Sequence, residues 1–252
     1  MPAFHAMARQ GARTWEAYTT IPPLTLPSHT SMLTGVGVQK HQVTWNGYDP
    51  TKGPLAVPTI FSLAKARGLK TAMFVGKEKL KHLELPGSLD ALVWPKTDDD
   101  AKAVAASLKE QIGSLKPNLC FIHFRDHDTA GHAHGAYSKE KVQALKDCDA
   151  ALKTIQDAVT EAGMIKQSVF ILTADHGSHD VKNKLAKTVG THDTTQPADV
   201  TIPWVVWGRG VKKDFTITAP VIQHDTAATA LWLLDVPLPE SFWGRPVTSA
   251  FE

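Results

Sequence analysis

The sequence predicts an α/β protein whose mainly parallel central sheet is covered by helices on both faces. Three observations carry that prediction. Strand-like and helix-like segments alternate along most of the chain. The strand-like runs are apolar throughout, as in strands buried on both faces, and Asp/His clusters follow two of them directly, at the carboxyl edge where such sheets gather ligands. No internal repeat, low-complexity tract or Gly/Ser linker interrupts the pattern, so residues 1–252 read as a single domain.

In chain order, Pro22 and Pro23 fix the entry to a Thr/Ser-rich stretch, and Pro27 is placed to open a helix. A hydroxyl at that turn would sit at a helix N-terminus, where oxyanions are favoured. A plain capping loop explains the same residues as well. After Val57-Pro58, Thr59–Arg67 reads as a helix capped by Gly68, and Leu69–Val75 as a strand. Asp98–Leu115 carries Ala101, Val104, Ala105 and Leu108 at helical spacing. Pro117 introduces the strand Leu119–Phe124. A long helix, Ser138–Ala162, ends at Gly163, and the most apolar strand, Ser168–Thr173, follows. Ile202–Trp207 is the next strand, and a final helix, His224–Leu234, stops before Val236-Pro237.

With 27 Lys+Arg against 25 Asp+Glu the net charge is 27 − 25 = +2, which excludes a strongly basic nucleic-acid binder. No apolar run reaches the ~18 residues of a membrane span. Two cysteines, Cys120 and Cys148, are too few for a disulfide scaffold and read as free buried thiols. Neither compartment nor oligomeric state is assigned. The seven tryptophans read as core, except Trp45, which is placed to stack on a leaving-group ring.

The 12 histidines matter by position. The strand ending at Phe124 runs into Arg125-Asp126-His127-Asp128-Thr129-Ala130-Gly131-His132, and the strand ending at Thr173 into Ala174-Asp175-His176-Gly177. A later loop holds Gly190-Thr191-His192-Asp193. A lone histidine is an ordinary surface or core residue; three Asp/His clusters supply the O and N donors that zinc accepts.

These motifs carry a resemblance. Thr25-Leu26-Pro27-Ser28-His29, Thr34-Gly35, His41 and Asn46 resemble the nucleophile region of the type I phosphodiesterase/nucleotide pyrophosphatase branch of the alkaline phosphatase superfamily. Asp128-x-x-Gly131-His132, Asp175-His176-Gly177 and His192 are similar to its metal motifs in the same order. Ile202-Pro203-Trp204 with Gly208-x-Gly210-Val211-Lys212 resembles its closing strand, and His224–Thr229 its last helix. The resemblance covers essentially the whole chain. It implies an alkaline-phosphatase-like sandwich that hydrolyses phosphoric esters of small molecules, with two divalent ions, zinc by preference. Asp128, His132 and His192 would hold one; Asp175 and His176 would hold the other beside the Thr25 oxygen. Thr25 would attack phosphorus and form a phosphoryl-threonine. Asn46 would donate to a non-bridging phosphate oxygen, helped by the amide of Leu26 or Ser28. His192 is preferred over His179 because its place before the Ile202 strand matches the pattern.

The resemblance also sets an expectation of difference. Its first metal motif, an Asp-Gly pair ending an N-terminal strand, would fall before Met1, where the Met1–Ala12 segment is similar to the helix that follows it. Two dications ~4 Å apart repel by about 17 kcal/mol at an effective dielectric of 20. Without that carboxylate a weakened second ion position, reduced activity and an open sheet edge are expected; Asp49 and Asp126 offer no evident replacement. Sulfatase-like and phosphonoacetate-type hydrolysis, or an inactive member, are the alternatives. Val75-Gly76-Lys77 faintly resembles the substrate-lysine segment of sulfatases, but threonine cannot give their formylglycine aldehyde.

Overall fold

A computed structural model of the chain describes residues 1–96 and 100–252. Helix α1 (Pro2–Gln10) leads into strand β1 (Ala12–Tyr18), then α2 (Thr25–Thr34), α3 (Val38–His41) and α4 (Ile60–Lys65). Strands β2 (Thr71–Val75) and β3 (Ala91–Val93) precede α5 (Asp100–Leu115), β4 (Leu119–His123), α6 (Asp126–His134) and α7 (Lys139–Glu161). Then come β5 (Val169–Thr173), the hairpin β6 (His179–Lys182) and β7 (Thr188–Thr191), α8 (Pro197–Val200), β8 (Thr201–Gly208), β9 (Phe215–Thr216) and α9 (Asp225–Leu233). The start expected for α5 at Asp98 lies outside the described residues.

The strands divide into a parallel sheet, β3-β2-β4, a mixed sheet, β5-β8-β1-β9, and the β6-β7 hairpin. Strand β8 runs antiparallel to both β5 and β1. The sheet is therefore parallel only in part. Parallel neighbours need a crossover connection, as the segment containing α5 provides between β2 and β4, whereas β8 is entered from a hairpin and the single turn of α8. Strands β4 and β5 are the outer strands of their sheets, and among the described residues no strand pairs with their free edges.

Helices cover both faces. Leu26, Met32, Leu33, Phe61, Met73, Val75 and Leu231 form one core, between α2, α4 and α9 and the sheet. Phe74, Val104, Leu108, Cys148 and Ile155 form a second, under α5 and α7, and Ala12, Ile202, Trp204 and Val206 belong to a third, around β1 and β8. Burial pushes both thiols, Cys120 and Cys148, up to about 12, so they act as inert packing groups.

Two local results differ from expectation. Strand β1 is not evident in the sequence, because its alternation breaks: the pairing with β8 shifts register between Thr14 and Ala17, leaving Trp15 and Glu16 exposed in succession. Helix α2 opens at Thr25 rather than at Pro27, with Leu24 as an extended cap. A proline in the first turn is tolerated because those N–H groups need no intrahelical partner.

Candidate active site

Every residue of α2 is buried, although Thr, Ser and His dominate its sequence. Several of its polar groups are satisfied within the helix: Thr30 and Thr34 hydroxyls donate to the carbonyls of Leu26 and Thr30, and His29 Nδ1 donates to the Thr25 carbonyl at 2.8 Å, while Ser28 and Ser31 pair with groups outside it. That back-bonding lets a hydroxyl-rich helix lie inside the protein with Thr25 in its first turn. Thr25 lines an open cleft of about 450 Å³ together with Asn46, Lys77, Lys79, Asp128, Thr129, His132 and His192.

Asp128 and His132 lie four residues apart on α6, so they share one helix face. His192 follows β7, whose last residue is Thr191. Gly190 and Thr191, read as loop from the sequence, are thus strand. Donor atoms of Asp128, His132 and His192 all fall within 4.8 Å of one another. His132 Nδ1 donates to the Gly190 carbonyl at 2.9 Å and His192 Nδ1 to the Pro23 carbonyl at 2.8 Å. Each ring thereby keeps its proton on Nδ1 and turns an Nε2 lone pair inward. The two Nε2 atoms stand 3.1 Å apart, and Asp128 Oδ1 is 3.3 and 3.8 Å from them. Three acceptors facing one another repel unless a cation lies among them, and an N, N, O set suits a divalent transition ion.

Asp175 follows β5, and its carbonyl accepts the hydroxyls of Thr19 and Ser28, which pins it beside α2. His176 repeats the tautomer logic: Nδ1 donates to the Gly177 carbonyl at 2.9 Å, and Nε2 faces Asp175 Oδ2 at 3.2 Å. Nε2 has no aligned hydrogen-bond partner among the described residues. The His176 ring stacks on His192 with centroids 3.5 Å apart, which joins the two pairs. Among the described residues Asp175 and His176 do not belong to a second group of three His, Cys, Asp or Glu donors.

Charge follows this layout. Burial raises the Asp128 carboxyl, but Lys77 and His176 outweigh it and hold the group below the usual carboxylate range. For Asp175, burial is again overcome, here by His176 and His29. Burial opposes the charged form of His176, yet the Asp175 carboxylate raises its pKa. Burial, then the His176 charge, lowers His192.

Two lysines complete the cleft. Lys77 Nζ lies 2.6 Å from Asp128 Oδ2 and donates to Thr25 Oγ1 at 3.3 Å. Lys79 Nζ donates to Asn46 Oδ1 at 3.0 Å; burial and Lys77 lower its pKa to about 8. Lys79 was not apparent as a site residue, although it follows β2 just as the Asp/His clusters follow β4 and β5, and that position is its signal.

Two sequence expectations are corrected. The Leu26 N–H is held by Asn46 Oδ1 at 3.0 Å and the Ser28 N–H by the Leu24 carbonyl at 2.9 Å, so neither amide is free for a phosphate oxygen. Trp45 packs against the α2 core with its ring edge-on to His82 and is not among the cleft-lining residues. Asp126 and Asp49 stand apart from the donors: Asp126 accepts the Ala101 N–H, and Asp49 accepts from Thr51. His179 is committed to Asp199 at 2.7 Å, away from the set that includes His192.

Residues 1–227 match the model of the family described as type I phosphodiesterase / nucleotide pyrophosphatase. GPI ethanolamine phosphate transferase 1 of Aspergillus oryzae is 26% identical over 243 residues, covering 87% of this chain and 22% of that protein. The chain thus spans about a fifth of the length of the curated relatives it matches. Among solved structures, inactive murine ectonucleotide pyrophosphatase/phosphodiesterase 5 in complex with AMP superposes with a TM-score of 0.79 at 15% identity, over 100% of this chain and 94% of that one. A phosphonate monoester hydrolase from Silicibacter pomeroyi superposes with a TM-score of 0.69 at 16% identity, over 97% of this chain and 70% of that one. At these identities the likeness establishes the fold, which is that of phosphodiesterase-family enzymes.

Proposed function

The chain belongs to the type I phosphodiesterase/nucleotide pyrophosphatase family, within the alkaline phosphatase superfamily, and from that premise we propose that it cleaves phosphoric esters of small molecules through Thr25 with the help of divalent metal. The observation that carries the reading is the meeting of two imidazole lone pairs and a carboxylate beside a buried threonine hydroxyl. Asp128, His132 and His192 would hold one ion; Asp175 and His176, whose Nε2 faces the Asp175 carboxylate at 3.2 Å, would hold a second. Such ions supply Lewis-acid stabilisation of charge on phosphoryl oxygens and help ionise a hydroxyl.

The protein's own groups then have defined tasks. Lys77, donating to Thr25 Oγ1, favours the alkoxide and faces the incoming phosphate with positive charge. Asn46 gives its carbonyl oxygen to Leu26 N–H and Lys79, which leaves its NH₂ to donate to a non-bridging phosphate oxygen. Thr25 Oγ1 bonds to phosphorus as the ester P–O bond breaks, and the leaving oxygen takes up a proton. Water attack then breaks the bond between phosphorus and Thr25 Oγ1, restores the hydroxyl, and releases phosphate from a monoester substrate or a phosphomonoester from a diester.

A second reading has an alcohol in place of water, so that the phosphoryl group is transferred. The match to an ethanolamine phosphate transferase over 87% of the chain favours it. One experiment addresses both. Thr25→Ala is expected to lose turnover of a nitrophenyl phosphodiester while keeping zinc binding by calorimetry, and wild-type chain quenched during turnover is expected to carry on Thr25 the phosphoryl group with its remaining ester. Added ethanol or glycerol then partitions product between hydrolysis and transfer. Full turnover by the Thr25→Ala variant would remove the residue from this role.

A further inference from the structure

Beside the cleft, the β6–β7 hairpin extends away from the metal-ligand set. Residues 180–187 are all exposed, and they include Lys182, Lys184 and Lys187 around Leu185, which is 87% exposed. The tip is a fixed turn: Asn183 Oδ1 accepts the N–H groups of both Leu185 and Lys187 at 3.0 Å. Asn183 and Lys187 close it by a backbone bond, also 3.0 Å. Leu185 is therefore held outward rather than folded back on the strands. The hairpin's carboxylate, Asp180, accepts the Ala136 N–H, which docks the neighbouring loop and brings Tyr137 (76% exposed) and Lys139 to the same region. Lysines 139, 182, 184 and 187 against Asp180 and Glu140 leave this edge positive by 4 − 2 = +2, as much as the whole chain carries.

An exposed leucine inside a ring of lysines is costly in water and favourable at one kind of surface. Lysine stems keep the charge among anionic headgroups, while the leucine enters the acyl boundary just beneath. We propose that the β6–β7 hairpin is a membrane-surface contact that seats this protein on the anionic face of a lipid bilayer. A polyanion such as a nucleic acid would satisfy the lysines but leave Leu185 in water. Lys187 stands five positions before His192, so at about 3.3 Å per residue this end of the turn lies within roughly 17 Å of the first candidate ligand set. An extended headgroup could span that distance from bilayer to cleft. The proposal goes beyond the reading of the reaction and does not depend on it.

The test is flotation of the full chain, without substrate or metal, on vesicles of phosphatidylcholine alone and of phosphatidylcholine with 30% phosphatidylserine (roughly a plasma-membrane-like surface charge). Wild type is expected to float with the anionic vesicles only, and Leu185→Asp and the double variant Lys184→Glu/Lys187→Glu to bind at least about tenfold more weakly. Both variants should turn over a soluble nitrophenyl ester as wild type does, which separates this result from any failure of the catalytic reading. In Leu185→Trp, anionic vesicles should shift the added tryptophan emission to the blue. Wild type that stays with the soluble fraction, variants that float equally well, or retention on duplex nucleic acid without vesicle binding would each overturn the proposal.

Discussion

Replacing Lys77 with methionine tests the electrostatic core of the proposed site while keeping the length and bulk of the side chain. The ammonium is 2.6 Å from Asp128 Oδ2 and 3.3 Å from Thr25 Oγ1, with both Lys77 and Asp128 side chains 15% exposed. A phosphoryl oxygen accepting a hydrogen bond from the same ammonium would bring its charge to about 4 Å, worth about 4 kcal/mol at the effective dielectric of partly buried groups. The cleft is open to water, so about 3–4 kcal/mol is the realistic range, the same as for loss of one oxyanion-hole donor. At 1.36 kcal/mol per decade, kcat/KM for a nitrophenyl phosphodiester should fall about 100- to 1,000-fold. The loss should appear mainly in kcat, because the charge on the attacked phosphoryl group and on Thr25 develops in the transition state. Zinc affinity, measured by calorimetry, should hold or rise, since Asp128 is relieved of a competing cation. Lys77→Arg should recover part of the rate. A Lys77→Met enzyme within fivefold of wild type, or one that loses zinc along with activity, would refute the reasoning.

In Gly190→Ala the new Cβ would fall 2.7 Å from the Gly131 carbonyl oxygen, so β7 and α6 must part, and with them His192 and His132. Zinc affinity should drop at least about tenfold with a fall in thermal stability of roughly 1–3 kcal/mol; calorimetry and a melting curve check both. Buried His41 accepts the Val43 N–H at Nδ1 and has its pKa lowered to about 4 by burial. The folded value lies below the unfolded 6.5, so its contribution is present above pH 6.5 and is lost as pH falls toward 4. Urea unfolding in chelator should show a loss of at most about 3 kcal/mol over that window that is absent from His41→Gln.

The fold and the donor residues were legible for different physical reasons. Buried strands announce themselves as unbroken apolar runs, and in an α/β sheet the residues just past them face the ligand edge, so Asp128 and Asp175 could be found from position alone. Strand β1 could not be, because a bulge exposes Trp15 and Glu16 in succession and destroys its period. The two histidines that motif order weighs lie in different surroundings: His179 pairs with Asp199, buried on α8, and His192 lies with Asp128 and His132. Lys79 also follows a strand, but one lysine among so many surface lysines has no distinguishing neighbour in the chain. What lies beyond any reading of residue types is where the protons sit. The inward Nε2 lone pairs of His132, His192 and His176 are set by the carbonyls of Gly190, Pro23 and Gly177, and every residue has a carbonyl. Glycine enters that logic only through space: at Gly177 a Cβ would lie 2.0 Å from the Ala198 carbonyl oxygen, so the third letter of Asp175-His176-Gly177 is fixed by backbone packing against α8. The motif thus reads as chemistry in its first two residues and as close approach in its third, and only the folded chain tells the two apart.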